Sequence, residues 1–318
     1  MGLRAGCMLH IWHLLAVASP RLRLLQIRYA DNAGPGLDFL LRGHMPILES
    51  FAINCVPAEG LGLSSVVRGS FFESAPRLRD CRMRNFTPNL GATDFPALVS
   101  LDVSYAVAHG ETVPSRTLHN LLHYCRGLQS LKIDVAHLEH DESNRVAYPG
   151  IKDLSFIVRN ADSTEAIDSF VFPNIERLDL SLAPVRVTRT MVQDCSATLT
   201  TLIINKRVLL TASASMLTGA SRLESVEFIK CKLAEGFFLE LATPLPNGTI
   251  ACPAWHRLHI TQCIVPRVDA FTGDALLQLI RLRNGGAVRR LSDVELSWKD
   301  DDVPLRAGFA AELQALLQ

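Results

Sequence analysis

One hydrophobic pattern, apolar-x-x-apolar-x-apolar, recurs along the whole chain. Its clearest copy lies within residues 172–182, F-P-N-I-E-R-L-D-L-S-L, where Ile175, Leu178 and Leu180 are apolar and their neighbours polar. Further copies stand at Leu22/Leu25/Ile27, Leu48/Phe51/Ile53, Leu78/Cys81/Met83, Leu98/Leu101/Val103, Leu128/Leu131/Ile133 and Ile151/Leu154/Phe156. The series continues at Leu199/Leu202/Ile204, Leu223/Val226/Phe228, Trp255/Leu258/Ile260 and Leu291/Val294/Leu296. The last two apolar positions of each unit are two apart, the period of a strand with one buried face.

Between these units lie segments of helical spacing. Leu118, Leu121, Leu122 and Cys125 fall on one helix face, with Pro114 and Ser115 at its start. Leu276, Leu277 and Ile280 mark a second helix, and Phe309, Leu313, Leu316 and Leu317 predict a last amphipathic one. Strand, turn and helix therefore alternate. The eleven units are spaced by 26, 30, 20, 30, 23, 24, 24, 24, 32 and 36 residues. Most of these intervals fit leucine-rich repeats, which run at about 20–29 residues, and the longer ones require inserted loops or longer helices.

The residues between the apolar strand positions choose among parallel folds. A doubly wound sheet is covered by helices on both faces and needs apolar residues on both. Here the alternate positions hold Asp80 and Arg82, Ser100 and Asp102, Ser130 and Lys132, Arg177 and Asp179, Arg257 and His259, and Asp293 and Glu295. One face of the sheet is therefore predicted to meet solvent. No strand is followed by a glycine-rich phosphate loop of the G-x-G-x-x-G or G-x-x-x-x-G-K-[ST] type. The expected fold is α/β: a leucine-rich-repeat solenoid of about eleven irregular repeats, with a curved parallel sheet on one side and helices on the other. Residues 1–18 are expected to form an N-terminal helix or partial repeat, 19–302 the array, and 303–318 a capping helix.

Composition changes this picture little. The 318 residues carry 32 basic and 32 acidic side chains and are 48% hydrophobic, so the chain can bury a large core and carries no bulk charge favouring nucleic acid or anionic lipid. Ten arginines and six acids in the first ninety residues make that end mildly basic. Eight cysteines are scattered singly, with no C-x-x-C, as in a reduced intracellular protein. Residues 1–18 have the outline of a secretory signal, interrupted by His10 and His13. The competing expectation there is a helix with Met8, Leu9, Trp12 and Leu15 on one face. Asn85 and Asn247 head glycosylation triplets. A secreted or surface repeat protein is accordingly the alternative to a cytoplasmic or nuclear one.

Seven of the eleven units carry proline two residues before the first apolar position: Pro20, Pro46, Pro76, Pro96, Pro149, Pro173 and Pro253. Proline fixes φ and lacks a donor, so it is expected to end the preceding helix and start an extended segment. Phe95, Tyr148 and Phe172 add an aromatic before it. These [aromatic]-P-x-L-x-x-L-x-L units, with the H-Y-C-R-G-L-Q-S-L-K-I junction at 123–133, resemble the leucine-rich-repeat region of fungal F-box proteins over nearly the whole chain. The resemblance implies a substrate-recognition subunit of a cullin ubiquitin ligase, whose repeats hold the target while an F-box binds the ligase adaptor. The sequence shows no F-box with an L-P-x-E-[IL] opening, so an adaptor is implied only where an F-box is encoded upstream.

Candidate chemistry is sparse, and neither a catalytic group nor a cofactor is expected. His119, His123, His137 and His140 fall within 22 residues beside Glu139 and Asp141, but a zinc site needs three or four converging ligands. The helix pair instead sits on the polar side of Leu118/Leu121/Leu122. Asp300, Asp301 and Asp302 read as a solvated loop before a helix, and Ser64 or Ser65 as a helix cap. Cys231 and Cys263 each follow the last apolar strand position by three residues, where Ala30, Ala106, Ala136 and Ala183 stand in other units, and read as core. Function is then expected on the solvent face of the strands, through Arg28, Arg82, Arg84, Asp102, Lys132, Asp134, Asp153, Arg177, Asp179, Arg257 and His259. The expected ligand is a protein or peptide on a concave face, not nucleic acid or membrane.

Overall fold

The computed structural model describes residues 5–30, 43–56, 67–70, 72, 74–89, 95–105, 112–140, 145–158, 164–245, 248–266, 271–286, 288–299 and 305–318. The segments 57–66 and 300–304, and with them Ser64, Ser65 and the Asp300, Asp301, Asp302 run, lie outside the described residues, as do Ala106, Asp141 and Asn247. The fold is α/β, dominated by an eleven-stranded sheet whose strands are ordered as they occur in the chain. They are β1 (Leu24–Ala30), β2 (Ser50–Val56), β3 (Asp80–Arg84), β4 (Ser100–Tyr105), β5 (Ser130–Val135), β6 (Asp153–Val158), β7 (Arg177–Ser181), β8 (Thr201–Asn205), β9 (Ser225–Ile229), β10 (Arg257–Cys263) and β11 (Asp293–Trp298). Seven helices accompany them among the described residues: α1 (Ala5–Ala18), α2 (Ser115–His123), α3 (Thr164–Asp168), α4 (Val185–Asp194), α5 (Glu235–Ala242), α6 (Asp274–Gly285) and α7 (Phe309–Leu317).

The chain divides into two compact units: residues 1–146 with 158–169, and residues 147–157 with 170–318. In the first, parallel pairing aligns Leu25, Phe51, Cys81, Leu101 and Leu131 across β1–β5. In the second, Leu154, Leu178, Leu202, Val226, Leu258 and Val294 align across β6–β11. Each strand thus holds the last two apolar positions of one sequence unit. Both are buried in ten strands and half-buried in β11, and each fully buried Leu, Ile or Phe contributes about 1.5–3 kcal/mol.

The prolines do something more specific than end helices. Each of Pro20, Pro46, Pro76, Pro96, Pro149 and Pro253 is the second residue of a reverse turn closed by a backbone hydrogen bond onto the first apolar position. Examples are Leu48 N to Met45 O (3.3 Å), Leu78 N to Ala75 O (3.1 Å) and Trp255 N to Cys252 O (3.0 Å). Proline's fixed φ suits that position. Gly127 occupies such a turn because a Cβ there would stand 2.6 Å from the Pro96 carbonyl oxygen.

Strands also end in a repeated way. Asn85, Leu182, Lys206, Lys230 and Gln262 stand two residues after the last apolar position of their units, and all have φ between 52° and 62°. This left-handed geometry costs a non-glycine residue about 1–2 kcal/mol. In return the backbone turns so that four of their N–H groups donate to the end of the next strand: Asn85 to Ser104, Leu182 to Asn205, Lys206 to Ile229 and Lys230 to Thr261. Cys231 and Cys263 follow one residue later. Both are fully buried, as expected, and their thiols donate to Ile204 O (3.3 Å) and Phe228 O (3.2 Å) of the preceding strand.

Aromatic side chains fill the second unit. Phe228, Phe237, Phe238, Phe271 and Trp298 run edge to face, with centroid separations of 5.5, 5.4, 6.2 and 5.3 Å, the arrangement favoured by the ring quadrupole. Helix α6 begins after Gly273, whose φ of +84° suits glycine and where a Cβ would meet the Phe309 ring at 2.6 Å. Glycine offers no capping side chain, and Glu235 of α5 supplies one. Its carboxylate accepts from the backbone N–H of Thr272 (3.2 Å), Gly273 (3.1 Å) and Ala275 (2.5 Å). Glu235→Ala orphans these donors and is expected to cost about 2 kcal/mol by urea unfolding, with Glu235→Gln losing about half as much. An unchanged midpoint in Glu235→Ala would show that water replaces the cap.

At the N-terminus α1 forms, with Leu15 half-buried and Leu14 and Val17 exposed. The side chains of Met8, Leu9 and Trp12 lie outside the described residues. No helix among the described residues is long and apolar enough to cross a membrane.

Candidate functional site

Strand alternation sets the exposed face. With the apolar positions turned inward, the side chains between them form three rows across the strands, spaced about 4.8 Å apart along each row. On the first unit, Arg28 stands exposed near the end of β1, and Arg82 and Arg84 are exposed on β3. Asp102 on β4 is in register with Arg82 on one side and Lys132 on the other. It pairs with Lys132 at 3.8 Å, and its side chain is only 20% exposed. Asp134 on β5 is half-buried.

The second unit gathers its charges at two places. On β6 and β7, Asp153 and Arg177 are in register and 3.8 Å apart, while the half-buried Asp179 accepts from Ser155 at 3.3 Å. On β10 and β11, Arg257 donates to Asp293 at 2.8 Å and the His259 ring lies 3.3 Å from the same carboxylate. Partial burial works against the Asp293 carboxylate, yet hydrogen bonds from Arg257 and His259 outweigh it and hold its pKa below the ordinary 3.8. Glu227 and Glu295 flank His259 in register. Three strand intervals, roughly 14 Å, separate β7 from β10, so Asp179 and His259 do not share one site.

Asp293 and Ser155 complete these clusters, and neither is among the site residues expected from the sequence. Their signal was present, because each lies at an alternate strand position. Selecting them requires the register of strands 24 to 36 residues apart. The face is also less polar than the alternation suggested, since Ile203 is buried on it and Ile157 and Ile229 are half-buried.

The histidines of the 119–140 segment do not converge. His119 is buried, with its Nε2 at 2.9 Å from the Ser169 hydroxyl, which itself donates to Ala166 O. His123 and His140 are exposed. Among the described residues no three His, Cys, Asp or Glu side chains are grouped to hold a metal ion.

The chain matches no protein-family model and no curated protein.

The face is therefore characterised by its own chemistry. It offers rows of exposed and half-exposed charges, many already paired across strands, above a parallel strand ladder. Such a surface can bind an extended or folded polypeptide through many contacts.

Proposed function

We propose that this chain is a non-enzymatic protein-interaction module, a leucine-rich-repeat array whose exposed strand face holds a protein target. We further propose that it is related to the substrate-recognition repeats of F-box subunits in cullin ubiquitin ligases. The observation carrying this reading is the row arrangement. One hydrophobic unit is spent on each strand, and every strand leaves two or three side chains facing away from the core. The prolines at the turns and the aromatic-proline junctions support the family relation. An intracellular location, cytoplasmic or nuclear, fits the seven cysteines that are free and buried among the described residues. It also fits Asn85, whose Nδ2 donates to Cys55 O at 3.0 Å, because a glycan would be attached at that same nitrogen.

The test joins this chain to an intact F-box and follows ubiquitination of a partner identified reproducibly by mass spectrometry. Reversals on the strand face, Arg82→Glu with Asp102→Lys, are expected to weaken partner binding at least about tenfold, equivalent to 1.4 kcal/mol. Reversals at the exposed Arg186 and Glu240, on α4 and α5, leave it unchanged. Equal loss from both sets, or from neither, sinks the proposal.

A further inference from the structure

On the first three strands the exposed face departs from the pairing found elsewhere. Lys132, Lys152, Arg177, Arg257 and Arg289 each have a carboxylate within 4 Å. Arg28, Arg82 and Arg84 have no ion-pair partner among the described residues. Asp102, the acid in register with Arg82, is engaged by Lys132. Asp80 is the one acid among the nine described outward side chains of β1, β2 and β3, against three arginines.

The strand between the arginines is low. Its outward positions are Ser50, Ala52 and Asn54, short side chains on β2 flanked by Arg28 of β1 and by Arg82 and Arg84 of β3. Two strand spacings put the flanks roughly 10 Å apart, the width of one extended polypeptide with its side chains. Arg82 and Arg84, alternate residues of one strand, are spaced about 6.7 Å along it. An extended peptide repeats its same-side residues at that interval, and a guanidinium takes a carboxylate through two parallel hydrogen bonds.

Resting on the interaction reading above, we propose that the trough over β2 binds an extended acidic segment of the partner, with carboxylates at alternate positions, Glu-x-Glu or Asp-x-Asp, on Arg82 and Arg84, and a further acid on Arg28. The segment lies along the strands. Its short residues face Ser50, Ala52 and Asn54.

A fluorescein-labelled peptide with glutamate at alternate positions, titrated with the full chain by fluorescence anisotropy, tests this. Saturable binding is expected, weakening as salt rises because the contacts are exposed. Arg82→Glu with Arg84→Glu should lower affinity at least about tenfold and create binding to the matching Lys-x-Lys peptide. Arg186→Glu with Arg189→Glu, exposed on α4 and off the strand face, should leave the acidic peptide's affinity within about twofold. Matched urea midpoints establish that the variants fold. The inference is overturned by failure of the acidic peptide to bind, by failure of the charge-swapped pair, or by displacement of the peptide by single-stranded nucleic acid. A phosphoserine peptide that binds where the Glu-x-Glu peptide does not also overturns it. If the F-box fusion retains a partner lost only on reversals in the second unit, the acidic-segment inference falls and the interaction reading stands. If no partner depends on either strand face, both fall.

Discussion

Replacing Arg283 by methionine is expected to lower stability by about 4 kcal/mol. This arginine, on α6, is fully buried. Its guanidinium donates to Ala251 O (3.0 Å), Cys252 O (2.8 Å) and Trp255 O (2.8 Å), and lies 5.3 Å from the centre of the Trp255 ring. Those carbonyls belong to the turn that leads into β10, where Cys252 has φ +52°. The side chain thus serves as hydrogen-bond partner to a buried, strained loop. Burial disfavours the charged form and pulls its pKa down to about 10 from 12.5, with Cys252 acting in the opposite direction. Two large terms therefore compete: the cost of burying the cation, and the cost of leaving three buried carbonyls unpaired, about 1–3 kcal/mol each. The second dominates in the variant, because methionine fills the volume and supplies no donor. Lysine should recover only part of the loss, since its ammonium is a point charge without the planar fork. Urea unfolding followed by circular dichroism and Trp255 fluorescence measures the change. A loss under about 1 kcal/mol would mean that desolvation of the arginine already cancels its bonds.

Arg283 also shows where sequence reading stops. Leu276 and Ile280 mark the buried face of α6, and position 283 continues it by three residues. The sequence therefore placed a cation on an apolar stripe but offered no partner, because carbonyls of a loop thirty residues earlier have no side-chain signature. The strands were legible for the opposite reason. Their two-residue period depends only on the burial of one face, and the apolar pairs from Leu25/Ile27 to Val294/Leu296 each fall inside a strand. The candidate face was legible as a set of positions, and Arg82, Arg84 and Arg177 are exposed there as expected. Which charges neutralise one another was not. Arg257 meets Asp293 and Lys132 meets Asp102 through inter-strand register, and register across intervals of 20 to 36 residues is fixed by turns and loops of irregular length. A proline's fixed φ suits a helix end, the start of an extended segment and the second residue of a turn alike, and only hydrogen bonds such as those from Leu48 N and Leu78 N decide among them.

Raising the pH from 8 to 10 is expected to remove about 3 kcal/mol of stability through the buried thiols of Cys195 and Cys252. Burial pushes the Cys195 and Cys252 thiols up to about 12 from 9.0, with Asp194 adding to the first and Arg283 opposing in the second. Cys81 is raised well above 9.0 by burial, then by Cys125, Asp102 and Asp80. Cys195 and Cys252 are also donors, to Met191 O (3.0 Å) and Leu217 O (3.1 Å), and the thiolate cannot donate. An acid whose pKa is higher in the folded state holds its proton there after the unfolded chain has released it. The stability it contributes is complete below pH 9 and is lost between 9 and the folded value. Cys195 and Cys252 each lose about 1.4 kcal/mol between pH 8 and 10, and Cys81 acts in the same direction. Arg283 acts with the opposite sign, because its depressed pKa makes the folded state shed a proton first, but it returns under about 0.5 kcal/mol by pH 10. The Cys231 and Cys263 thiols act in opposite directions in this balance. Their mutual hydrogen bond lowers Cys231 and raises Cys263, so one proton leaves earlier and the other later. Above pH 10 the Tyr148 phenol, raised by burial, adds a further loss, so the informative window ends there. Urea unfolding at pH 8, 9 and 10 should show the decline, and Cys195→Ala and Cys252→Ala should each flatten it by about 1.4 kcal/mol. A stability that stays level to pH 10, or slopes unchanged in both variants, would mean that these thiols ionise as freely in the folded chain as in the unfolded one.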